Sequence, residues 1–307
     1  MLPSIDSTGF IHSYRHRPPD EELTERGWMK GKKKGINDSI KWISNGLKGT
    51  HEPRLSLYET WEKTYRLRAD LSIPKFLYGA NVRLPDEAEI QEALEIITNN
   101  IELRSGLKFD AFSANMCRLD YSVNLKFDPK LVKAVIGRYR NFDVVRLLRH
   151  TIGNETVYFE NKSRKIKIYD KHAEVCAKKM SPDVQAQSQG IVRAEYGLLD
   201  ADSIRNFAAR LGFQGTSANE MLSQENIHTA HRELSELLKF DSINFSPDRK
   251  IKIAFEQIND VKRAIQLSGF VEAVDCFGEG FYRNEAFKMS KSTYDRNLRE
   301  CQDLGLI

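Results

Sequence analysis

A tyrosine set between lysines is the first feature of this chain suited to chemistry. In Arg164–Lys171, RKIKIYDK, Tyr169 has Lys167 two residues before it and Lys171 two residues after it. A tyrosine hydroxyl has a pKa near ~10 and is a weak nucleophile at neutral pH. Neighbouring ammonium groups would favour its phenolate and would hold the charge that develops on an attacked phosphate. Two acids stand in comparable surroundings. Asp120 lies between Arg118 and Ser122 at alternate positions of CRLDYSV, and Glu195 follows Arg193 by two in VRAEYGL. Carboxylates on a polar strand face can bind Mg2+, which takes oxygen ligands and keeps several waters. The same residues also describe a half-buried strand with a solvated lysine face and an Asp120–Arg118 ion pair. Residue types and spacing leave both readings open.

These groups need rigid elements to hold them. Thr156–Phe159 is aromatic and β-branched, Glu160–Ser163 is turn-like and Arg164–Tyr169 alternates, which predicts a hairpin. Period two puts Ile166 and Ile168 on one face and Lys165, Lys167, Tyr169 and Lys171 on the other. Met116–Lys126 alternates likewise, with Arg118, Asp120, Ser122 and Asn124 opposed to Leu119, Tyr121, Val123 and Leu125. Gly190–Leu199 is a further strand, with Arg193 and Glu195 opposed to Val192, Ala194 and Tyr196. Leu55–Leu71 reads as strand, broken near Trp61, and Leu2–Ile5 as the opening of a first strand before Asp6.

Pro85–Leu103 is predicted helical, from acids at its start and a stripe of Ile90, Ala93, Leu94, Ile97 and Ile101. Pro129–His150 is predicted as a second helix, interrupted near Asn141. His12 and His16 read as loop residues ahead of Pro18 and Pro19, Lys30–Lys34 as a basic turn, and Ser181–Gly190 as a loop. Beyond Asp200 the pattern turns helical over Ser203–Leu211, Ala218–Leu238, Glu256–Ser268 and Tyr294–Leu304. The expected class is α+β: a mostly antiparallel sheet with helices packed on one face, followed by a smaller helical C-terminal region. The expected division is residues 1–199 for the sheet domain and 200–307 for the helical region.

Composition sets the outer bounds. The chain has 307 residues, 40% hydrophobic and 29% charged, and its formal net charge is only +4. Thr156–Lys179 alone carries seven Lys/Arg against three Asp/Glu, a local excess that suits a polyanion. Cys117, Cys176, Cys276 and Cys301 form no C-x-x-C pair and read as free thiols of a reducing cytoplasm. No run of ~20 apolar residues suggests a membrane span, and the first residues lack a signal-peptide pattern. A cytoplasmic protein without a membrane partner is expected.

The run VYFENKSRKIKIYDKHAE resembles the signature of the rolling-circle replication initiators of phages and plasmids, above all the filamentous-phage replication proteins. Four further segments resemble that family in its order: LSIPKFLYGANV (Leu71–Val82), CRLDYSV (Cys117–Val123), VRAEYGL (Val192–Leu198) and SKSTYDRNLRECQDLGL (Ser290–Leu306). The resemblance implies a site-specific nickase on an antiparallel sheet. Tyr169 would be the nucleophile, assisted by Lys171 or Lys167. Asp120 and Glu195 would hold Mg2+ or Mn2+. Arg118, Lys162, Arg164, Lys165, Arg193, Arg296 and Arg299 would contact DNA. The partner would be single-stranded or supercoiled origin DNA in a bacterial host. Since the chain has no G-x-x-x-x-G-K-[ST] loop, unwinding and synthesis would fall to host helicase and polymerase.

There are departures. Ala80 stands where the family often has His, and the His-hydrophobic-His triplet of many initiators is missing. A carboxylate-led metal site is therefore implied, with His172 as an extra ligand or proton shuttle. Tyr158 is either a second tyrosine for strand transfer or a packed hairpin residue. The alternative to a nickase is a non-catalytic, sequence-specific DNA-binding protein on the same scaffold.

Overall fold

The alternating segments pair into one antiparallel sheet. The computed structural model describes residues 3–31, 41–46, 50–140, 142–240, 258, 260–278, 281–283 and 289–303. Its strands are β1 (Ser4–Tyr14), β2 (Met29–Lys30), β3 (Lys41–Ser44), β4 (Arg54–Glu59), β5 (Tyr65–Ser72), β6 (Asn115–Lys126), β7 (Leu148–Ile152), β8 (Thr156–Glu160), β9 (Arg164–Asp170) and β10 (Ile191–Leu198). Among the described residues the order across the sheet is β2-β3-β4-β5-β1-β6-β10-β9-β8-β7. The three chemistry-bearing strands, β6, β10 and β9, are therefore adjacent.

Register converts sequence alternation into two faces. Leu119, Tyr121, Val123 and Leu125 of β6 stand opposite Leu198, Tyr196, Ala194 and Val192 of β10. Tyr196 and Ala194 in turn face Ile166 and Ile168 of β9. These residues join one core with the helices α3 (Glu87–Ser105), α4 (Val132–Tyr139), α7 (Ala201–Leu211) and α9 (Gln224–Leu238). On the other face Asp120 opposes Gly197, Ser122 opposes Glu195 and Asn124 opposes Arg193. Glu195 then opposes Lys167, and Arg193 opposes Tyr169. The helical layer thus covers the apolar face and leaves most of the polar face open. The short helices α5 (Lys171–Ala177) and α6 (Pro182–Ser188) sit on the polar side, where Val175 packs with Val82 and Ile191 at one end.

Local chemistry explains the helix ends. Asp86 and Glu89 form a reciprocal capping box at the start of α3. Asp200 caps α7, and Gly212 ends it in the left-handed region. Ser223 caps α9 and splits the expected Ala218–Leu238 helix into α8 (Ala218–Met221) and α9.

Several expectations change. Pro129–His150 is not one helix: α4 stops at Tyr139, Arg146 turns the chain at φ 65°, and Leu148–Ile152 becomes the edge strand β7. Ser181–Gly190 contains α6, which opens at Pro182 after Ser181 in the N-cap position, without a side-chain capping bond. His12 lies within β1, which runs to Tyr14. The break near Trp61 is the turn between β4 and β5. A boundary at residue 199 would cut the main core, because Ile204, Phe207, Ile227 and Leu234 belong to it. The separate small core lies further along, in the helices Val261–Phe277 and Lys291–Asp303. The basic turn at Lys30–Lys34 falls largely outside the described residues, as do Asn141 and the start of the expected Glu256–Ser268 helix. Among the described residues no helix is long and apolar enough to cross a membrane.

Gly190 sets the end of the β6–β10 pairing. Its φ is +71°, and an added Cβ would lie 2.3 Å from the Phe127 carbonyl oxygen. Gly212 has φ +79° with nothing within 4 Å of that position. Gly190→Ala should lower unfolding free energy in urea by ~3 kcal/mol or more, through left-handed strain plus a backbone clash. Gly212→Ala should cost about 1 kcal/mol, from the strain alone. Equal losses would show that the β6–β10 corner yields freely.

Candidate active site

The site is built at a strand-to-helix corner. Tyr169 sits near the end of β9, Asp170 is the N-cap of α5, and Lys171 opens that helix. The Asp170 carboxylate accepts from the backbone N–H groups of His172 and Ala173, at 2.9 and 3.1 Å. The chain therefore folds back sharply, and Lys171 comes to lie under Tyr169 rather than in solvent. The Lys171 side chain is fully buried. Its Nζ donates to Asn81 Oδ1 at 2.9 Å and to Glu174 Oε2 at 2.6 Å, and stands 3.4 Å from the Tyr169 hydroxyl.

Tyr169 is itself buried. Its hydroxyl donates to Glu195 Oε1 at 2.7 Å. Lys167, one pleat away on the same face, places Nζ 3.6 Å from the centre of the Tyr169 ring. Asp120 accepts from Arg118 at 2.8 Å. An open depression of about 230 Å3 on this face is lined by Arg118, Asp120, Tyr158, Lys165, Lys167, Glu195, Gly197 and Leu199. Gly197 keeps it clear, because a Cβ there would lie 2.7 Å from Asp120 Oδ1.

Beneath this runs a buried polar network that strand alternation alone does not assemble. A bulge in β1 between Ile5 and Ser7 leaves Asp6 without a register partner beside Ser7, which opposes Asp120, and Asp6 lies on the polar face. Asp6 accepts from Ser72 Oγ at 2.8 Å, Asn81 Nδ2 at 3.0 Å and Arg193 Nη1 at 3.3 Å. Arg193 also donates to Asn124 Oδ1 and to the Val82 carbonyl, each at 2.8 Å. The only signal for Asp6 was an acid ending a predicted strand. The signal for Asn81 was its place in the Leu71–Val82 segment.

Electrostatics follow from this packing. Burial pushes the Tyr169 phenol well above its usual range, and the Glu195 carboxylate adds to the shift. Burial, then the nearby Asp6 charge, raises Glu195 to about 7. Burial raises Asp120 as well, against the pull of Arg118. Burial and then Arg193 lower Lys171 to about 8. Burial acts against ionising Asp6, but Arg193 and its hydrogen bonds outweigh it and hold Asp6 below the usual carboxylate range. Glu174 resists the same burial and is held at about 2 by Lys171 and Lys178.

These features bear on whether a divalent ion fits. Among the described residues no group of three or more His, Cys, Asp or Glu side chains is disposed to hold a metal. The candidate donors are the pair Asp120 and Glu195, for which burial outweighs the pull of Arg118 on the first and of Lys167 on the second. The Ser122 hydroxyl, directly opposite Glu195, is buried without a hydrogen-bond partner among the described residues. Two carboxylates and a hydroxyl are hard oxygen donors, a set that suits Mg2+ or Mn2+ with retained waters.

The remaining expected residues divide. Lys165 lines the depression, and Lys162 is exposed in the β8–β9 turn. Arg164 points to the helical face instead, reaching Tyr196 Oη at 3.2 Å and Glu233 at 3.9 Å, because it is one residue out of phase with Lys165. Arg193 has no exposed surface and is a structural cation, not a DNA contact. Arg296 and Arg299 are exposed on the helix Lys291–Asp303, which packs in the separate C-terminal core. His172 is engaged with Gln185 and Ser188 of α6, at 3.0 Å each.

The Glu195 shift gives a signed pH dependence. Its folded pKa is raised from 4.5 to about 7, so the folded state binds the extra proton. The stabilisation is full below pH 4.5 and is lost as pH rises through about 7. Glu195→Gln keeps the acceptor for Tyr169 and removes the titration. In EDTA, urea unfolding should show the variant gaining on wild type by about 1–3 kcal/mol between pH 4.5 and pH 8. Parallel pH profiles would mean that Glu195 is ionised without penalty.

Two comparisons with known proteins bear on this geometry. No curated protein matches the chain significantly. A family model that describes the N-terminal part of a phage replication-associated protein matches residues 32–236. That range holds four of the five segments with a phage-initiator resemblance, together with Tyr169, Asp120 and Glu195. The match spans well over half of the 307 residues, and the chain belongs to this family of phage replication-associated proteins.

Proposed function

We propose that the protein initiates rolling-circle replication by nicking one strand of origin DNA through Tyr169. The observation that carries this reading is the Tyr169 hydroxyl, 2.7 Å from the Glu195 carboxylate and 3.4 Å from the Lys171 ammonium, beside an open basic depression. The phenol proton passes to Glu195. The phenolate, held by Lys171, attacks the scissile phosphorus. A tyrosine–phosphorus bond forms, the bond to the 3′ oxygen breaks, and that oxygen leaves with the proton held by Glu195. The products are a 5′-phosphotyrosine and a free 3′-OH for the polymerase. The linkage preserves the phosphodiester energy, so the reverse attack reseals the strand without ATP.

Asp120 and Glu195 would hold Mg2+ or Mn2+, which when bound polarises the scissile phosphate. Glu195 spends one oxygen on Tyr169 and has the other to offer. Arg118, Lys165 and Lys167 hold the surrounding phosphates, and Lys162 extends the basic edge. Arg164 and Arg193 have no part in this contact.

The burial of Tyr169 also favours a second reading, a DNA-binding protein without cleavage on the same scaffold. Incubation with supercoiled or single-stranded origin DNA and Mg2+ separates the two. A covalent protein–5′ DNA adduct is expected, lost in Tyr169→Phe and in EDTA while salt-sensitive DNA binding remains. Binding without an adduct in either Mg2+ or Mn2+ would establish the second reading. A separate check needs no DNA. Saturating Mg2+ should stabilise wild type against heat by about 1–3 kcal/mol and leave Asp120→Asn unmoved. An equal shift in both proteins would take Asp120 out of the metal site.

A further inference from the structure

The edge strand β7 presents apolar side chains to solvent on the site's own face. Leu148 is 78% exposed and Ile152 60%. Register sets Leu148, His150 and Ile152 opposite Glu160, Tyr158 and Thr156 of β8. Those residues oppose Lys165, Lys167 and Tyr169 of β9. The strip therefore shares the face of the nucleophile, while the main core lies on the opposite face with Val157 and Phe159. Fold stability gives no reason for such exposure at a sheet edge, where charged residues are the usual protection.

The centre of the strip is aromatic. The His150 and Tyr158 rings are stacked, with centroids 4.7 Å apart and planes 15° from parallel. Lys165 Nζ lies 4.2 Å from the Tyr158 ring centre. Glu160 orients both flanks, 3.7 Å from His150 Nδ1 and 3.1 Å from Lys165 Nζ. Tyr158 lines the same depression as Asp120, Glu195 and Lys167.

We propose that His150, stacked on Tyr158 and flanked by Leu148 and Ile152, is a stacking platform for unpaired nucleobases of the strand whose phosphate sits at Tyr169. Bases offer a π-face whatever their identity, so such a platform is tolerant of sequence. Paired bases have those faces occupied by their neighbours, so the platform selects single-stranded DNA over duplex. β7 lies two strand spacings, about 10 Å, from β9. That distance is within reach of the nucleotide beside the scissile phosphate or the next one along. Lys165 and Lys167, between the platform and Tyr169, supply the phosphate contacts of the same track. The inference rests on the nicking reading for its polynucleotide, not on cleavage.

The test uses the full chain in EDTA, with fluorescence anisotropy of labelled (dA)12 and of an abasic twelve-mer of equal charge. Wild type should prefer (dA)12 by about tenfold. His150→Ala and Leu148→Ser, both at exposed positions, should bring the ratio towards one and leave abasic affinity within about twofold. Tyr169→Phe should keep the full preference. A His150→Ala protein that retains the tenfold ratio, or wild type that binds both oligonucleotides equally, overturns the platform. Adduct formation on origin DNA with those results would leave nicking intact and sink only the platform. A retained base preference with no adduct would sink nicking and leave the platform standing.

Discussion

The site depends on a buried ion pair between Arg193 and Asp6. Arg193 has no exposed surface, so its charge must be answered inside the protein. It reaches over β6 to the bulge of β1, and on the way it donates to Asn124 of β6 and to the Val82 carbonyl. One guanidinium thus joins three neighbouring strands to the chain that follows α2 (Ile73–Tyr78). Loss of one member of such a pair strands the other charge in a dry interior, at a cost of about 3–5 kcal/mol. Arg193, Ser72 and Asn81 meet the Asp6 carboxylate at the bulge and satisfy it there.

Charge balance at the surface follows from that buried layer. Arg193 and Lys171 pair with Asp6 and Glu174, and the pull that Arg193 still exerts on Glu195 does not offset its burial. Asp120 has Arg118, and Glu195 has Lys167 at longer range, yet both remain harder to ionise than an ordinary carboxyl. A carboxyl that holds its proton up to about pH 7, hydrogen-bonded to a phenol, is poised to exchange that proton near neutrality. The tyrosine alone, in water, would have no such partner. The corner at Asp170 makes the arrangement: were the strand to continue, Lys171 would share Tyr169's face but would stand beside it, in solvent.

Period two made the faces of β6, β9 and β10 legible from the sequence, and with them the company of Asp120, Glu195, Lys167 and Tyr169. Alternation put Arg193 on its true, polar face, but a strand pattern does not tell whether a residue there is covered, and the expected DNA contact is a buried cation. Arg164 was grouped with Lys165 by charge although its parity already put it on the other face. Asp6 was hidden by the bulge, which breaks parity by one residue. Asn81 and Lys171 meet across 90 positions of sequence, a contact that no local pattern encodes. The first residues of β7 fall in the expected Pro129–His150 helix, which has no local signal to stop it before the strand. The pairing of β7 with β8 is a tertiary preference that overrides propensity.

Burial of the proposed nucleophile is the remaining physical constraint on mechanism. With Tyr169 only 2% exposed, no phosphate in solution touches its hydroxyl in this conformation. Lys167 lies over the ring on the solvent side, 3.6 Å from its centre, in a cation–π contact worth about 0.5–2 kcal/mol. A DNA phosphate is a stronger partner for the same ammonium than a ring quadrupole is. On the proposed nicking reading, a DNA phosphate in the depression would compete with the ring for Lys167, and its departure would bare that face of the phenol. Lys171 has no such freedom, because Asn81 and Glu174 hold it below the ring. On that reading Lys167 is the lysine free to follow the DNA, and Lys171 is the one held beside the phenol oxygen.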